Sequence, residues 1–145
     1  MASKRRQLWE ACEDGNEEEV KRLIREGVDI DCKDRDGDTP LTIAAMEGKV
    51  GCVRLLLDNG ANINNTNDFG NTALLWATFN GYDEIVRLLI QRGVDIHIKG
   101  HNEGFTPLGW AKHYNDTSTI AMLEEAINST KGKNQNSNFL KQFLF

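Results

Sequence analysis

The feature of this sequence that most restricts its fold is a repeat with a period of 33 residues. Glycines recur at this interval in two sets: Gly15, Gly48 and Gly81; Gly27, Gly60 and Gly93. Threonines keep the same steps, except that their last interval is 34 residues: Thr39, Thr72 and Thr106. One extra residue therefore lies between His97 and Gly104. Such self-similarity is the signature of an array in which each unit stacks on the next.

The order of residues within a unit predicts two helices joined by a tight turn. Thr39 can accept a hydrogen bond at a helix N-terminus, and Pro40 suits the first helical position. Apolar residues recur at helical spacing on both sides of Gly48, which permits a left-handed turn: Leu41, Ala44 and Ala45 before it; Val53, Leu56 and Leu57 after it. The following "ANINNTNDFG" is too polar and turn-rich for a helix, and predicts an extended stretch with a tight turn.

These motifs are similar to those of the ankyrin-repeat family, whose unit is a hairpin turn followed by two antiparallel helices. The matching residues are Gly37-x-Thr39-Pro40-Leu41, Ala44-Ala45, Gly48, Val53-x-Leu55-Leu56-Leu57 and Gly60-Ala61-x-Ile63-Asn64. The resemblance covers about residues 7–128. It implies an all-α repeat solenoid of helix-turn-helix units joined by short β-hairpin turns. The family's frequent histidine after Thr-Pro-Leu is replaced in the last three units by Thr42, Leu75 and Gly109.

The resemblance divides the chain into an ankyrin domain and a C-terminal segment. The domain spans residues 1–131 and contains four units: residues 7–33, 34–66, 67–99 and 100–131. The first unit lacks the Thr-Pro-Leu opening and is predicted to be an N-terminal cap. The last unit is degenerate, with Asn115 where glycine is expected. Asparagine is the next most tolerant residue of left-handed backbone, so this turn is expected to survive.

Residues 132–145 are predicted to be a polar linker followed by an apolar tail. Four apolar residues of the tail fall on one helical face: Phe139, Leu140, Phe143 and Leu144. They could cover the open end of the last repeat, because the terminal units of an array must be capped. They could instead dock in a partner's groove, or in another copy of this chain, which would give self-association. We favour capping.

Charge and composition restrict the partners and the compartment. The net charge of −5 and the pI of about 5.2 leave no broad basic face for nucleic-acid phosphates. No apolar run approaches the roughly 18 residues that cross a bilayer, and "MASKRRQ" lacks the following apolar run of a signal peptide. Three widely spaced cysteines suit a reducing compartment. We expect a cytoplasmic or otherwise intracellular protein, delivery into a host cell included, that binds neither nucleic acid nor membrane.

The sequence holds no recognisable catalytic motif. No GxSxG, Gly-rich phosphate loop or HExxH occurs. His97 and His101 straddle Gly100 in a predicted hairpin, without a cysteine pair nearby, which argues against a metal site. The cysteines have no evident histidine partner and are predicted to be buried or half-buried thiols. We expect no enzymatic activity, no cofactor and no metal.

By resemblance, a partner protein would bind in a concave groove formed by the hairpin tips and the outer face of each first helix. Aromatic residues that the fold does not require are the most informative ones there. The residues predicted to bind are Met46, Phe69, Asn71, Phe79, Asn80, Phe105, His113 and Tyr114. Five of these are expected to form one contact strip: Met46, Phe69, Phe79, Phe105 and Tyr114. Trp76 and Trp110 align with Ile43 and are predicted to belong to the core, whereas Trp9 could face either way.

The predicted function is that of a non-enzymatic adaptor, a protein–protein interaction module. Two alternatives stay open: a regulatory inhibitor subunit of an enzyme, and a substrate of an asparaginyl hydroxylase. In some ankyrin proteins that enzyme modifies the hairpin position that Asp31, Asn64 and His97 share here, so the resemblance makes Asn64 the candidate. Asn62 stands where such sites often have an acid, which argues against this alternative.

Overall fold

Helices form where capping, apolar spacing and turn residues predict them. The structure, a computed structural model, describes residues 2–101 and 104–143, with side chains as far as residue 131. The residues so described form eight α-helices and no β-strand: α1 (Lys4–Asp14), α2 (Glu17–Arg25), α3 (Pro40–Met46), α4 (Val50–Asp58), α5 (Ala73–Asn80), α6 (Asp83–Gln91), α7 (Pro107–His113) and α8 (Thr117–Phe143). Each odd-numbered helix pairs with the next one, which gives four helix-turn-helix units.

A threonine begins the first helix in each of the last three units. The side chains of Thr39, Thr72 and Thr106 each accept a hydrogen bond from the backbone N–H three residues on. Before α3 the bond is reciprocated, because the Thr39 N–H donates to Thr42 Oγ1 at 2.7 Å and completes a capping box. A threonine cap contributes about 1 kcal/mol. Thr42 therefore braces the helix start from the position where the family frequently has histidine.

The turn inside each unit uses left-handed backbone. Gly15, Gly48 and Gly81 all have φ of 73°. Asn115 takes the equivalent place in the last unit with φ of 55°, and it is the one non-glycine residue with positive φ in the described chain. Asparagine adopts this conformation more readily than other residues with a Cβ. The prediction that the turn survives in the degenerate unit is confirmed.

The helices form two layers, and successive units bury apolar residues against one another. The inner layer stacks α1, α3, α5 and α7 in that order, and the outer layer stacks α2, α4, α6 and α8. Two aligned positions of the outer helices are fully buried. One holds Val20, Val53 and Val86, and the other holds Leu23, Leu56, Leu89 and Leu123. Stability therefore comes from stacking, because a single unit cannot cover its own apolar face.

As far as their residues are described, the tips that connect the units are turns and not paired strands. In the second unit the Asp34 N–H donates to the carbonyl oxygen of Asp38 at 3.0 Å, and the third unit repeats this bond. The last tip closes from the Gly100 N–H to the carbonyl oxygen of Phe105 at 3.4 Å, so it holds the extra residue of the repeat. The predicted β-hairpins therefore differ from the structure, because the few backbone bonds within each tip close a turn and form no ladder.

Backbone hydrogen bonds also join successive tips. The Asp68 N–H donates to the carbonyl oxygen of Asp36, and the His101 N–H to that of Phe69, both at 2.9 Å. At Gly37, φ is 78° and a Cβ would lie 2.9 Å from the Asp68 nitrogen. Glycine is required there both by the turn and by the close approach of the next tip. The tips thus form a connected edge along the array.

Helix α8 differs from the sequence prediction. Its backbone is helical from Thr117 through Phe143, so the polar linker predicted over residues 132–138 continues the helix. This stretch contains no proline and one glycine, and its Lys, Gln and Asn residues are compatible with a helix. In the described chain no helix is both long enough and apolar enough to cross a membrane. Four predicted tail contacts lie outside the described side chains and stay a prediction: Phe139, Leu140, Phe143 and Leu144.

Truncating a stacked leucine should destabilise the whole array. Leu56 is 0% exposed, so Leu56→Ala should leave a cavity and lower the free energy of unfolding by about 2–5 kcal/mol. Leu57→Ala is the matched control, because Leu57 lies in the same helix but is half-buried. Denaturant unfolding followed by circular dichroism measures both losses. A loss for Leu57→Ala as large as that for Leu56→Ala would contradict this assignment of the core.

Candidate functional site

Three equivalent positions on each inner helix line one surface, called here the inner face. Along the array these positions hold Glu10, Glu13 and Asp14; Ile43, Met46 and Glu47; Trp76, Phe79 and Asn80; Trp110, His113 and Tyr114. All of them except Ile43 are exposed or half-buried. The inner face therefore changes from acidic at α1 to aromatic at α5 and α7, while the helices that carry it stay equivalent.

Six rings at the α5 and α7 end of the inner face contact one another and are called here the aromatic cluster: Trp76, Phe79, Phe105, Trp110, His113 and Tyr114. The Trp110 ring centroid lies 4.9 Å from that of Phe105 and 5.4 Å from that of Phe79, both edge-on. It also stacks on Tyr114 at 5.9 Å. These are favourable aromatic geometries. Because Phe79 and Tyr114 remain 45% and 52% exposed, the cluster presents apolar surface to solvent.

The prediction that Trp76 and Trp110 belong to the core is wrong. Both are half-buried, and both lie in the aromatic cluster. Each follows the buried-side leucine of its helix by two residues and so points about 200° away from it, toward the inner face. Ile43 holds the same position but is 6% exposed. The alignment with Ile43 was therefore misleading about burial, and the helical spacing was a signal only for the direction of both tryptophans.

Gly109 makes room for the aromatic cluster, which the sequence did not predict. A Cβ at Gly109 would lie 3.0 Å from the Phe105 Cδ1 atom, closer than an ordinary contact. The Phe105 ring therefore occupies space that a side chain would fill at this position. Thr42 and Leu75 stand at the equivalent places in the two preceding units. The absence of a side chain at this one position was the available signal.

The structure brings together part of the predicted contact strip. Phe79, Phe105 and Tyr114 meet in the aromatic cluster through Trp110. Phe69 is 50% exposed at the preceding tip, and it forms no ring pair with any described aromatic residue. The predicted contact strip is therefore not continuous: three of its residues lie in the aromatic cluster, and the others lie at separate positions. As partner contacts, all of these residues stay a prediction.

The predicted polar contacts have structural partners of their own. Asn80 is exposed, and its Nδ2 donates to the backbone oxygens of Met46 at 3.3 Å and Trp76 at 3.2 Å. It therefore ties the end of α5 to the end of α3. Asn71 is half-buried, and its backbone closes the tip of its unit. His113 is exposed, and its ring centroid lies 5.0 Å from that of Tyr114.

A pocket of about 300 Å³ lies between α1 and α3, and we call it the acidic pocket. Its lining consists of Arg6, Trp9, Glu10, Glu13, Asp34, Ile43, Met46 and Glu47. The position of Trp9, left open by the sequence, is therefore settled: it is half-buried and lines this pocket. Its indole Nε1 donates to the carbonyl oxygen of Cys32 at 3.0 Å, which fixes the ring. The predicted contact Met46 also belongs to this pocket.

Three aspartates meet at the tip beside the acidic pocket. Carboxylate oxygens of Asp34, Asp36 and Asp38 all lie within 4.8 Å of one another. Local hydrogen bonds account for this, because Asp34 Oδ1 accepts from the backbone N–H groups of Asp36 and Asp38. Asp38 is buried and accepts from Asn67 Nδ2 of the next tip at 3.0 Å. Burial, reinforced by Asp34 and Asp36, raises the pKa of Asp38 despite that hydrogen bond.

Asn64 links two units through its side chain. Its Oδ1 accepts from the backbone N–H of Asp95 at 2.8 Å, and Asp31 Oδ1 makes the equivalent bond to the Asn62 N–H one unit earlier. The shared hairpin position thus has a structural role in two successive units. Hydroxylation of Asn64 stays a prediction.

The cysteines offer no reactive thiol. All three are buried and free: Cys12, Cys32 and Cys52. Burial raises the pKa of Cys52 to about 11, and it also raises the pKa of Cys12 and Cys32. The thiolate is the reactive form, and it is therefore scarce at neutral pH. The prediction that these residues are buried thiols is confirmed.

Helix pairs with threonine caps, left-handed turns and linked tips define a class of protein, the ankyrin-repeat proteins. The family model for ankyrin repeats (3 copies) matches residues 8–100, and the chain belongs to this family. Ankyrin repeats generally serve as protein–protein interaction modules and are generally not enzymes. The structure adds a fourth helix pair, α7 and α8, beyond the matched residues. No curated protein matches the chain.

Neutralising Asp38 should stabilise the protein at neutral pH. A raised pKa in the folded state means that Asp38 contributes stability at pH below its ordinary value of 3.8, which is lost as the pH rises through the folded-state pKa. Asp38→Asn keeps an oxygen acceptor for Asn67 and removes the buried charge. We expect a higher melting temperature than wild type at pH 7, with a gap that narrows as the pH falls toward 4.

Asp36→Asn is the matched control, because it removes the same charge from an exposed neighbour. It should raise the melting temperature less than Asp38→Asn does. Thermal unfolding across this pH range measures both variants. A melting temperature of Asp38→Asn below that of wild type at pH 7 would show that the carboxylate is a net stabiliser.

Proposed function

We propose that this protein is a non-enzymatic adaptor that binds another protein across the inner face, with the aromatic cluster as the main anchor. The observation that carries the proposal is the cluster itself, whose rings contact one another while leaving Phe79 and Tyr114 about half exposed. A contiguous aromatic surface of this kind is typical of interaction sites, and buried aromatic anchors dominate the energetics of many interfaces.

Preorganisation supports the same proposal. The rings are held by one another and by two stacked helices, α5 and α7. A partner that packs on them would therefore immobilise few additional side chains, and the entropic cost of binding would be small. The neighbouring acidic pocket extends the surface along the same face.

The cysteines bear on the cellular location of the protein, and the inner face bears on the alternative function. We propose that the protein acts inside the cell, since three free buried cysteines suit a reducing compartment. A regulatory inhibitor of an enzyme would use the same face, and would differ only in having an enzyme as its partner.

Removing the exposed rings of the aromatic cluster should weaken partner binding without unfolding the protein. Phe79→Ala combined with Tyr114→Ala truncates its exposed phenylalanine and tyrosine. Truncation of such anchors often costs about 2 kcal/mol or more each. Affinity purification with quantitative mass spectrometry should therefore lose the partner that wild type retains, and circular dichroism should show the helicity preserved.

The control is a matched change on the opposite side of the array. Arg54→Ala combined with Arg87→Ala alters equivalent exposed positions of α4 and α6. This variant should retain the partner at the wild-type level. If the ring variant keeps its partner while the arginine variant loses it, the binding surface is the outer layer and the proposal fails.

A further inference from the structure

The walls of the acidic pocket suit the stem of a long basic side chain. Trp9, Ile43 and Met46 line it with apolar surface. The hydrogen bond from Trp9 to the Cys32 carbonyl oxygen holds the indole in place. Aliphatic stems of Lys and Arg pack well on such surfaces, and a cation near an indole ring gains a further attraction.

The rim of the pocket supplies negative charge that the protein itself does not neutralise. Glu13, Asp34 and Glu47 line the pocket, and none of them forms an ion pair with a side chain in the described part of the chain. The basic residue in the lining, Arg6, is paired with Glu10 at 2.9 Å. Unpaired carboxylates beside an apolar wall are complementary to a cationic group.

From this charge complementarity we infer that the partner presents a basic segment, which places an Arg or Lys side chain in the acidic pocket and an apolar side chain on the aromatic cluster. The inference rests on the proposed function and adds the chemistry of the partner to it. An acidic segment or a nucleic acid would bring further negative charge to the pocket, and a second copy of this chain, whose net charge is −5, would carry the same overall sign as the first.

The spacing of the two sites defines the segment further. The acidic pocket lies between α1 and α3, and the aromatic cluster lies between α5 and α7. Packed helices are roughly 8–10 Å apart, so the two sites are separated by roughly 16–20 Å. An extended chain advances roughly 3.3 Å per residue. The basic residue and the apolar residue should therefore stand about five or six positions apart in the segment.

A random dodecapeptide library displayed on phage tests the inference without knowledge of the natural partner. The immobilised full-length protein should select peptides that carry Arg or Lys about five or six positions from an aromatic or aliphatic residue. Fluorescence anisotropy of the selected peptides should show weaker binding in about 0.5 M NaCl than at low salt, because pairs that are partly exposed are screened.

Two pairs of substitutions distinguish an effect of the acidic pocket on binding from an effect of the overall charge of the protein. Glu13→Gln with Glu47→Gln should weaken binding of the selected peptides about tenfold. Glu84→Gln with Glu125→Gln makes the same charge change on exposed residues of α6 and α8, away from the inner face, and should change binding less than about twofold. Circular dichroism should show that both variants fold as wild type does.

The ring variant, Phe79→Ala with Tyr114→Ala, distinguishes a failure of the inferred basic partner from a failure of the proposed function. Peptides without Arg or Lys, or peptides that depend on the rings but not on Glu13 and Glu47, would overturn the basic partner and leave the proposed function standing. A selection that yields no peptides, or peptides indifferent to both sets of substitutions, would count against both. Binding lost in both variants and kept in the charge control would support both.

Discussion

The burial of aligned Val and Leu side chains between successive outer helices is the interaction on which the rest of the structure depends. Each unit offers fully buried residues such as Val53 and Leu56 at the same two positions, so each unit stacks on its neighbour with the same geometry. Stacking with a constant offset also aligns the inner helices. Equivalent positions of α1, α3, α5 and α7 thereby form one continuous surface, although they lie far apart in sequence.

Polar contacts between the tips reinforce this alignment, although one of them buries a carboxylate at a cost in free energy. Asp68 and His101 donate backbone hydrogen bonds to the preceding tips, and Asn67 reaches back to the buried carboxylate of Asp38. Burial opposes the ionisation of Asp38, as its raised pKa indicates. Because the fold does not need this charge for its core, we interpret the hydrogen bond between Asn67 and Asp38 as a contact that sets the geometry of the tips beside the acidic pocket.

The inner face varies in chemistry while the Val and Leu residues buried between the outer helices stay aligned. The same helical position holds Glu10, Ile43, Trp76 and Trp110 in successive units, and the helices are unchanged. Much of the candidate site was therefore visible in the sequence as unexplained aromatic and acidic residues. Trp76 and Trp110 were misassigned because an alignment reports which residues are equivalent but not which side of the helix they cover. Helical spacing from Leu74 and Leu108 gives the direction of each indole but not its burial, since Ile43 has the same spacing from Leu41 and is 6% exposed.

By itself the sequence determined the repeat, the helix starts at Thr39, Thr72 and Thr106, the left-handed turn at Asn115 and the leucines of the core. These features follow from local hydrogen bonding, backbone sterics and apolar spacing, all of which act over a few residues. Only the tertiary structure decided that Phe105 packs over Gly109, that Trp9 lines the acidic pocket, and that Phe69 stands apart from the aromatic cluster. The pocket beside Trp9 joins two units, so it depends on how the units stack, whereas the contact of Phe105 with Gly109 depends on how the ring packs against Trp110 within one unit.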